Sequence, residues 1–303
     1  MNYESLDVIQ FQRKYYSQEK CLQAIFQARW PRGFICPHCD HNDCYRLSKR
    51  RAVQCTNCRR QTSITAGTLF HKTKIPLQKW FWLMFLMSQD KGGISTRRAA
   101  KLLDMHYATV WTMMHKIREA MSERLESRLL SGFVEVDDAF FGGRLRGKSE
   151  SETALSNKKQ VCVMVERLNG SAGDAALVVL ETTDVESFQA AVERNVEPMT
   201  HIRTDGLAKN SALHGIAGKL NMKKTGDDYT VDEGPLKNVD RVISLAKRYL
   251  LGTYHQYCSG KHLQRFLNEH AFRFNRRYKW CQLASRTIKA CALSAPVPYA
   301  AIS

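Results

Sequence analysis

The chain has 303 residues, with 46 Lys and Arg against 29 Asp and Glu, a net charge of +17. Hydrophobic residues make up 44% and charged residues 25%, the composition of a globular rather than a disordered protein, and the length allows two or three domains. No apolar run approaches the roughly 20 residues of a membrane span, and the N-terminal MNYESLDVIQFQRKYY lacks the apolar stretch of a secretory signal, so neither membrane residence nor secretion is expected.

The charge is unevenly spread. Residues 1–130 hold 22 basic and 10 acidic side chains, residues 131–236 hold 12 and 17, and residues 237–289 hold 12 and 2, or +12, −5 and +10. Basic blocks of this size point to a polyanion partner, because each Lys or Arg that neutralises a phosphate releases a counterion.

In chain order, Ser17 to Trp30 reads as an amphipathic helix with Ser17 as N-cap and Glu19 in its first turn. Five of the ten cysteines then fall within residues 36–58. Cys36-Pro-His-Cys39 and Cys55-Thr-Asn-Cys58 are two C-x-x-C pairs 15 residues apart, the spacing of a four-thiolate zinc ribbon, with Arg46-Leu-Ser and Ala52–Cys55 as its strands. Cys44 is off this pattern and reads as a spare thiol; two intact pairs make His38 unnecessary as a ligand. Four thiolates leave no open coordination position, so one structural zinc per chain is expected, contributing to folding and not to catalysis.

Pro76 to Gln89 reads as a helix burying Trp80, Phe81, Met84 and Phe85. Residues 91–118 then read as a helix-turn-helix: a first helix after Ser95 with Ala99 and Leu102 facing inward, a turn near Asp104, and a second helix buried through Val110, Met114 and Ile117. Tyr107, Thr109 and Thr112, with Lys116 and Arg118, would face a DNA major groove, and Arg97 and Arg98 in the first helix are further candidate DNA contacts.

From residue 133 the period changes. Phe133-Val-Glu-Val-Asp137 alternates as a strand does and is followed by Asp138 and a Gly142-Gly143 turn. Gln160–Arg167 and Ala175–Glu181 read as further β runs, Asp184–Asn195 as a helix capped by Asp184, and His201-Ile-Arg-Thr-Asp205-Gly206 as a strand ending in a carboxylate. Two strands that each deliver an aspartate at the C-terminal end suit catalysis in an α/β sheet. The best-placed third carboxylate is Asp240, in a helix over Asn238–Leu251 whose stripe of Val239, Val242, Ile243, Ala246 and Leu250 is buried. Asp240 and Lys247 lie two turns apart on a neighbouring face. Three carboxylates around two hard cations are the apparatus for in-line phosphodiester cleavage. A last helix over Lys261–Tyr278 would bury Leu263, Phe266, Leu267 and Phe274, leaving Arg265, Arg273, Arg276 and Arg277 for phosphates, or Arg for pairing with Glu269. Arg248 joins the candidate DNA contacts.

FVEVDDAFFGG, IRTDG, RVISLAKRYLLGTYH and KHLQRFLNEHAFRFNRR resemble the transposases of bacterial insertion sequences in the fifteen-ninety-five family. The resemblance covers nearly the whole chain, since that family also has an N-terminal zinc ribbon and a helix-turn-helix. It implies an α+β multidomain protein: ribbon in residues 1–70, helix-turn-helix in 71–130, and in 131–303 a ribonuclease-H-like α/β catalytic domain of mixed sheet with basic C-terminal helices. It implies a DDE-type enzyme with Asp137, Asp205 and Asp240 as catalytic carboxylates holding two Mg²⁺ or Mn²⁺ ions and Lys247 as the accompanying basic residue. The family commonly has Glu, Asn or His where this chain has Asp240; Asp232, Glu233 and Asp138 are rivals for that role. The implied activity is binding of the element's inverted repeats, cleavage, and transfer of 3′ ends into target DNA. It implies a dimer or larger assembly on paired ends, no membrane partner, and a cytoplasmic, nucleoid-associated location. The competing readings are a non-catalytic DNA-binding regulator, a decayed transposase, and a metal-dependent nuclease without strand transfer.

Overall fold

A computed structural model describes residues 5–47, 50–142, 158–205, 208–223, 236–254 and 260–302. The chain divides into two compact units, Met1–Glu123 with Tyr278–Ser303, and Arg124–Arg277. Residues 278–303, grouped with the catalytic domain on sequence, therefore belong to the N-terminal unit.

In that unit, α1 (Val8–Lys14) is closed by a capping box in which Asp7 and Gln10 exchange hydrogen bonds. Ser17 caps α2 (Gln18–Arg29), as its position predicts. Strands β1 (Cys44–Leu47), β2 (Ala52–Cys55) and β3 (Gln61–Ser63) form an antiparallel sheet, one strand more than expected. Pro76 precedes α3 (Leu77–Gln89), where Trp80, Phe81, Met84 and Phe85 are buried. Phe81 meets Tyr15 edge-to-face and Phe85 packs against Phe11 at a tilt, making an aromatic core between α1 and α3. α9 (Leu283–Leu293) packs on α2 and α3, which explains why the C-terminal segment sorts with this unit. Ser95 caps α4 (Thr96–Leu103), and Asp104, in the left-handed region at φ 48°, turns the chain into α5 (Tyr107–Glu126).

One inward and one outward assignment in this hairpin need correction. Leu102 is 58% exposed and Leu103 takes the buried place, because the stripe of a helix this short runs through Ala99, Ala100 and Leu103, at i, i+1 and i+4. Arg118 is buried in α5 and is not on its open side.

The second unit is a five-stranded mixed sheet in the order β6-β5-β4-β7-β8. β4 (Phe133–Phe141), β5 (Lys159–Leu168) and β6 (Ser171–Val179) are antiparallel neighbours; β7 (His201–Asp205) and β8 (Lys219–Lys223) run parallel to β4. This meander followed by two parallel strands is the ribonuclease-H-like arrangement. β6 starts at Ser171, four residues before the expected run, because Asn169-Gly170 makes a two-residue hairpin with φ 49° and 80°.

Period-two alternation gives the sheet two apolar faces. Val134, Val136, Cys162, Met164 and Ile202 pack with Phe188, Ala191 and Val192 of α6 (Val185–Asn195), which Asp184 caps. Ala139, Phe141, Val161, Val163 and Val165 pack with α7 (Lys237–Tyr254) and α8 (Gly260–Phe274). The stripe expected on α7, and Leu263, Phe266, Leu267 and Phe274 of α8, are all in that core. α8 ends at Phe274, four residues short of the expected Tyr278.

Candidate functional site: a carboxylate cluster, a four-cysteine ribbon and a helical hairpin

The two C-x-x-C pairs fold into turns with the same hydrogen-bond pattern. The N–H of Cys36 donates to the His41 carbonyl at 2.8 Å and that of Cys55 to the Arg60 carbonyl at 3.0 Å. The residue after each second cysteine, Asp40 or Arg59, has a positive φ of 53° or 60°. These turns bring the four sulfurs within 4.8 Å of one another, with Cys36 to Cys58 and Cys39 to Cys55 both 3.6 Å. A tetrahedron with metal–sulfur bonds of about 2.3 Å has edges of about 3.8 Å, so the set fits a zinc ion. The N–H of His41 draws the Cys39 thiol down to about 6, helped by the other three sulfurs against the cost of burial. Cys44 lies off the cluster at the start of β1, as expected.

In the helical hairpin, Arg97, Lys101, His106 and Tyr107 line one groove at the turn between α4 and α5. Arg97, Arg98 and Tyr107 are exposed, while Thr109, Thr112 and Lys116 are half-buried along α5. The Thr112 hydroxyl donates to the Ala108 carbonyl at 2.9 Å, and burial lowers the Lys116 pKa.

The carboxylates come from three elements. β4 runs on to Phe141, so Asp137 sits mid-strand, opposite Val163 of β5, and not at a strand end. On its other side the parallel pairing with β7 runs through Val136 opposite Thr204, so Asp137 and Asp205 follow one residue on, where β7 stops. Asp240 is in the first turn of α7. Burial pushes the Asp137 carboxyl up to about 6; the Asp138 N–H, donating at 2.7 Å, works against this, and the charges of Asp205, Asp138 and Asp240 push it up further. The expected trio is thus close enough for each member to act on Asp137. Among the described residues only the four cysteines form a group with ligand atoms within 4.8 Å, so the carboxylates are spaced more widely than the ligands of one tight ion site.

Asp138 turns to the opposite face, where Gln160 of β5 donates to it at 2.5 Å. Asp232, Glu233 and the glycines Gly143 and Gly206 lie outside the described residues. Lys247 is exposed two turns along α7, with Nζ 5.7 Å from the ring centroid of Phe141 at the end of β4. Arg248 beside it is also exposed.

The comparisons with known proteins follow these boundaries. A transposase zinc-ribbon domain matches residues 16–61, and an ISXO2-like transposase domain matches residues 129–275, spanning every element from β4 to α8. Residues 129–275 thus carry a transposase domain of this family and residues 16–61 a transposase zinc ribbon. An uncharacterised protein in transposable element ISH50 of Halobacterium salinarum is 24% identical over 147 residues, 48% of this chain and 49% of that protein. The chain thus spans about half the length of that relative. Among solved structures, a pre-cleavage Mos1 transpososome is 12% identical with a TM-score of 0.29, over 68% of this chain and 76% of that one. The Mos1 strand transfer complex is 12% identical with a TM-score of 0.22, over 68% and 77%.

The basic motif formed by α8 and the residues just after it is engaged with the protein itself. The N–H of Val179 donates to Gln264 Oε1 at 2.7 Å and Gln264 Nε2 donates to the Leu177 carbonyl at 2.8 Å. Arg277 donates to the carbonyls of Ala172, Gly173 and Phe274 and lies over the Phe274 ring. Arg276 donates to the Phe272 carbonyl at 2.9 Å, its guanidinium 3.8 Å from the Phe272 ring centroid. Arg265 contacts His262, and Arg273 pairs with the buried Glu269 at 3.5 Å. This is the pairing with Glu269 that the sequence left open.

One residue that the sequence reading passed over is Glu135, 2% exposed on the same side of β4 as Asp137. Its Oε2 accepts from the N–H groups of Asn238 at 2.9 Å and Val239 at 3.1 Å, and its Oε1 accepts from Asn238 Nδ2 at 2.9 Å. The alternation that places Asp137 on the α7 side places Glu135 there too, a signal available in the sequence.

Proposed function

We propose that this transposase binds the terminal inverted repeats of its own element, cleaves the strand there, and transfers the freed 3′ end into target DNA. The observation that carries the reading is the placement of three carboxylates: Asp137 and Asp205 each follow the Val136–Thr204 pair of two adjacent parallel strands, and Asp240 lies in the first turn of α7. Like charges brought together from two adjacent strands and a helix stand where a bound cation would relieve their repulsion. Asp137, Asp205 and Asp240 would hold two Mg²⁺ or Mn²⁺ ions. Bound there, the ions would supply activation of the attacking oxygen and stabilisation of the leaving one in an in-line displacement. Asp240 supplies the third carboxylate on a shorter side chain than Glu would, and its helix is drawn close to β4 through Glu135.

The chain's own residues supply the rest. Lys247, exposed on the helix that carries Asp240, offers its ammonium to a phosphate of the bound strand. Arg97, Arg98, Tyr107, Thr109, Thr112 and Lys116 present the α4–α5 hairpin to the repeat, with Arg248 as a further phosphate contact. Cys36, Cys39, Cys55 and Cys58 would hold one zinc ion per chain, which contributes folding energy to the ribbon. Ribbon, hairpin and catalytic region act as three functional parts, and joining two element ends calls for a dimer or larger assembly. The net charge of +17 supports a DNA partner. Among the described residues no helix is long and apolar enough to cross a membrane.

The test is cleavage and joining of a labelled DNA end taken from the repeats flanking the gene, with Mg²⁺ or Mn²⁺. Wild type is run beside Asp137→Asn, Asp205→Asn and Asp240→Asn. Cleaved and joined products in wild type, lost in all three variants with DNA binding retained, are expected. Binding without cleavage under either metal would overturn the enzymatic reading, and cleavage without joining would leave a nuclease.

A further inference from the structure

We propose that Glu135 is a positioning residue for the carboxylate site: it grips the first turn of α7 and so fixes Asp240 against Asp137. The inference rests on the reading of Asp137, Asp205 and Asp240 as one metal site, and it concerns what assembles that site. The first N–H groups of any helix lack intrahelical acceptors and need an oxygen from elsewhere. Leu236, just before α7, has no side-chain oxygen to give. Glu135 gives both of its own, accepting two main-chain N–H bonds and the Asn238 amide at 2.9–3.1 Å.

The connection runs between the two members of the site that lie far apart in sequence. Glu135 is two residues before Asp137 and on the same side of the strand, since alternate residues share a face. Asn238 is two residues before Asp240 in one helical turn. One carboxylate thereby sets the distance and angle between a strand and a helix that each contribute a ligand. Its burial keeps water from competing for the three bonds, and the positive end of an 18-residue helix favours its charge. Arg203, 5% exposed, is its in-register partner on β7. Because both oxygens are engaged by N–H donors, Glu135 acts through α7 and is not itself offered to a cation.

Gln at this position separates geometry from charge. Its carbonyl oxygen accepts the two main-chain bonds, and its NH₂ donates to Asn238 Oδ1 once that amide flips, so all three contacts survive without the charge. The experiment uses the full chain as wild type, Glu135→Gln, Glu135→Ala, Asn238→Ala and Asp137→Ala. It reads hydrogen exchange in peptides covering residues 237–243, and Mn²⁺ binding by electron paramagnetic resonance. Glu135→Ala is expected to lose protection in the first turn of α7 while β4 and β5 stay protected, and to bind Mn²⁺ roughly 10- to 100-fold more weakly. Glu135→Gln should stay within a few-fold of wild type in both. Should Glu135→Ala fail to fold, Asn238→Ala, which removes one of the three bonds, is expected to shift both readouts the same way by a few-fold. Wild-type exchange and Mn²⁺ affinity in the alanine variants would overturn the proposal. Loss of Mn²⁺ in Glu135→Gln with α7 still protected would also overturn it, by making Glu135 a ligand. Mn²⁺ binding no tighter in wild type than in Asp137→Ala would sink the metal-site reading itself, with the exchange data still deciding whether Glu135 holds α7.

Discussion

The side chain of Asn275 pairs with the main chain of Ala175 in both directions: its Oδ1 accepts the Ala175 N–H at 2.8 Å, and its Nδ2 donates to the Ala175 carbonyl at 3.0 Å. β6 is an edge strand, and its outward polar groups would otherwise be open to water or to another chain. Gln264 does the same at Val179 and Leu177, and Arg277 takes the carbonyls of Ala172 and Gly173. The motif from Gln264 to Arg277 therefore closes the sheet edge. Asn275→Ala should cost about 1–3 kcal/mol by leaving part-buried main-chain groups unpaired, and Asn275→Asp should restore only the accepting half. Urea denaturation measures both. Arg277→Ala should likewise lower stability, with the salt dependence of DNA binding in the folded protein unchanged. A slope that falls by about one would instead return Arg277 to the phosphates.

Four sulfurs held at tetrahedral spacing would make the ribbon depend on a bound zinc ion. Cys36→Ser with Cys39→Ser should lower bound zinc by one per chain in elemental analysis and expose β1 to β3 to proteolysis. A chelator should do the same to wild type, since metal binding and folding are one equilibrium in such a module. Cys44→Ser, off the cluster, should change neither. Zinc retained in the double variant would assign it to other ligands.

Asp137 makes the carboxylate site sensitive to pH. Its carboxyl stands at about 6 against an ordinary 3.8, through burial first and then the charges of Asp205, Asp138 and Asp240. A raised carboxyl pKa means that the folded state binds the proton more tightly than the unfolded one. The group therefore lowers stability as pH rises from about 3.8 through 6, and the full penalty applies above that. Asp137→Asn should raise the melting temperature in the absence of added Mg²⁺ at pH 8, by an amount equivalent to about 1–2 kcal/mol once partial exposure is allowed for, and leave it unchanged near pH 4. Divalent cations compete with the same proton, so wild-type Mn²⁺ affinity should fall about tenfold per pH unit below 6. Affinity flat down to pH 5 would show that the cation does not use this carboxylate.

Much of this was legible in the sequence because it is written locally. Ser17, Ser95 and Asp184 announced their helices as caps, and the two C-x-x-C pairs specify a closed tetrahedron with little reference to the rest of the chain. Asp137 and Asp205 were readable as strand residues, but the extension of β4 to Phe141 was not, since it is set by pairing with residues 159–162 of β5. Leu102 and Leu103 are chemically alike, and only the packing of the hairpin decides which one is covered. The arginines in and just after α8 were least legible. A guanidinium that caps a sheet edge and one that grips a phosphate have the same composition and spacing, and they differ only in what lies opposite.

His270 carries the clearest link between pH and stability. It sits on α8 with Nε2 fully covered and without a hydrogen-bond partner, beside the rings of Tyr249 and Phe274. Burial lowers its pKa from 6.5 to about 4, and the charge of Arg273 adds to the effect. The unfolded chain takes up this proton near 6.5 and the folded one only near 4. The neutral ring's contribution is therefore complete above pH 6.5, shrinks as pH falls, and is gone below 4. Its upper size is about 3 kcal/mol. His270→Phe keeps an aromatic ring in the contact but removes the titration, so its stability should decline less than that of wild type between pH 6.5 and 4. The difference between their urea midpoints, taken at half-unit pH steps, measures the term directly. Parallel curves across that window would mean that the folded protein admits the proton to His270 at its ordinary pKa.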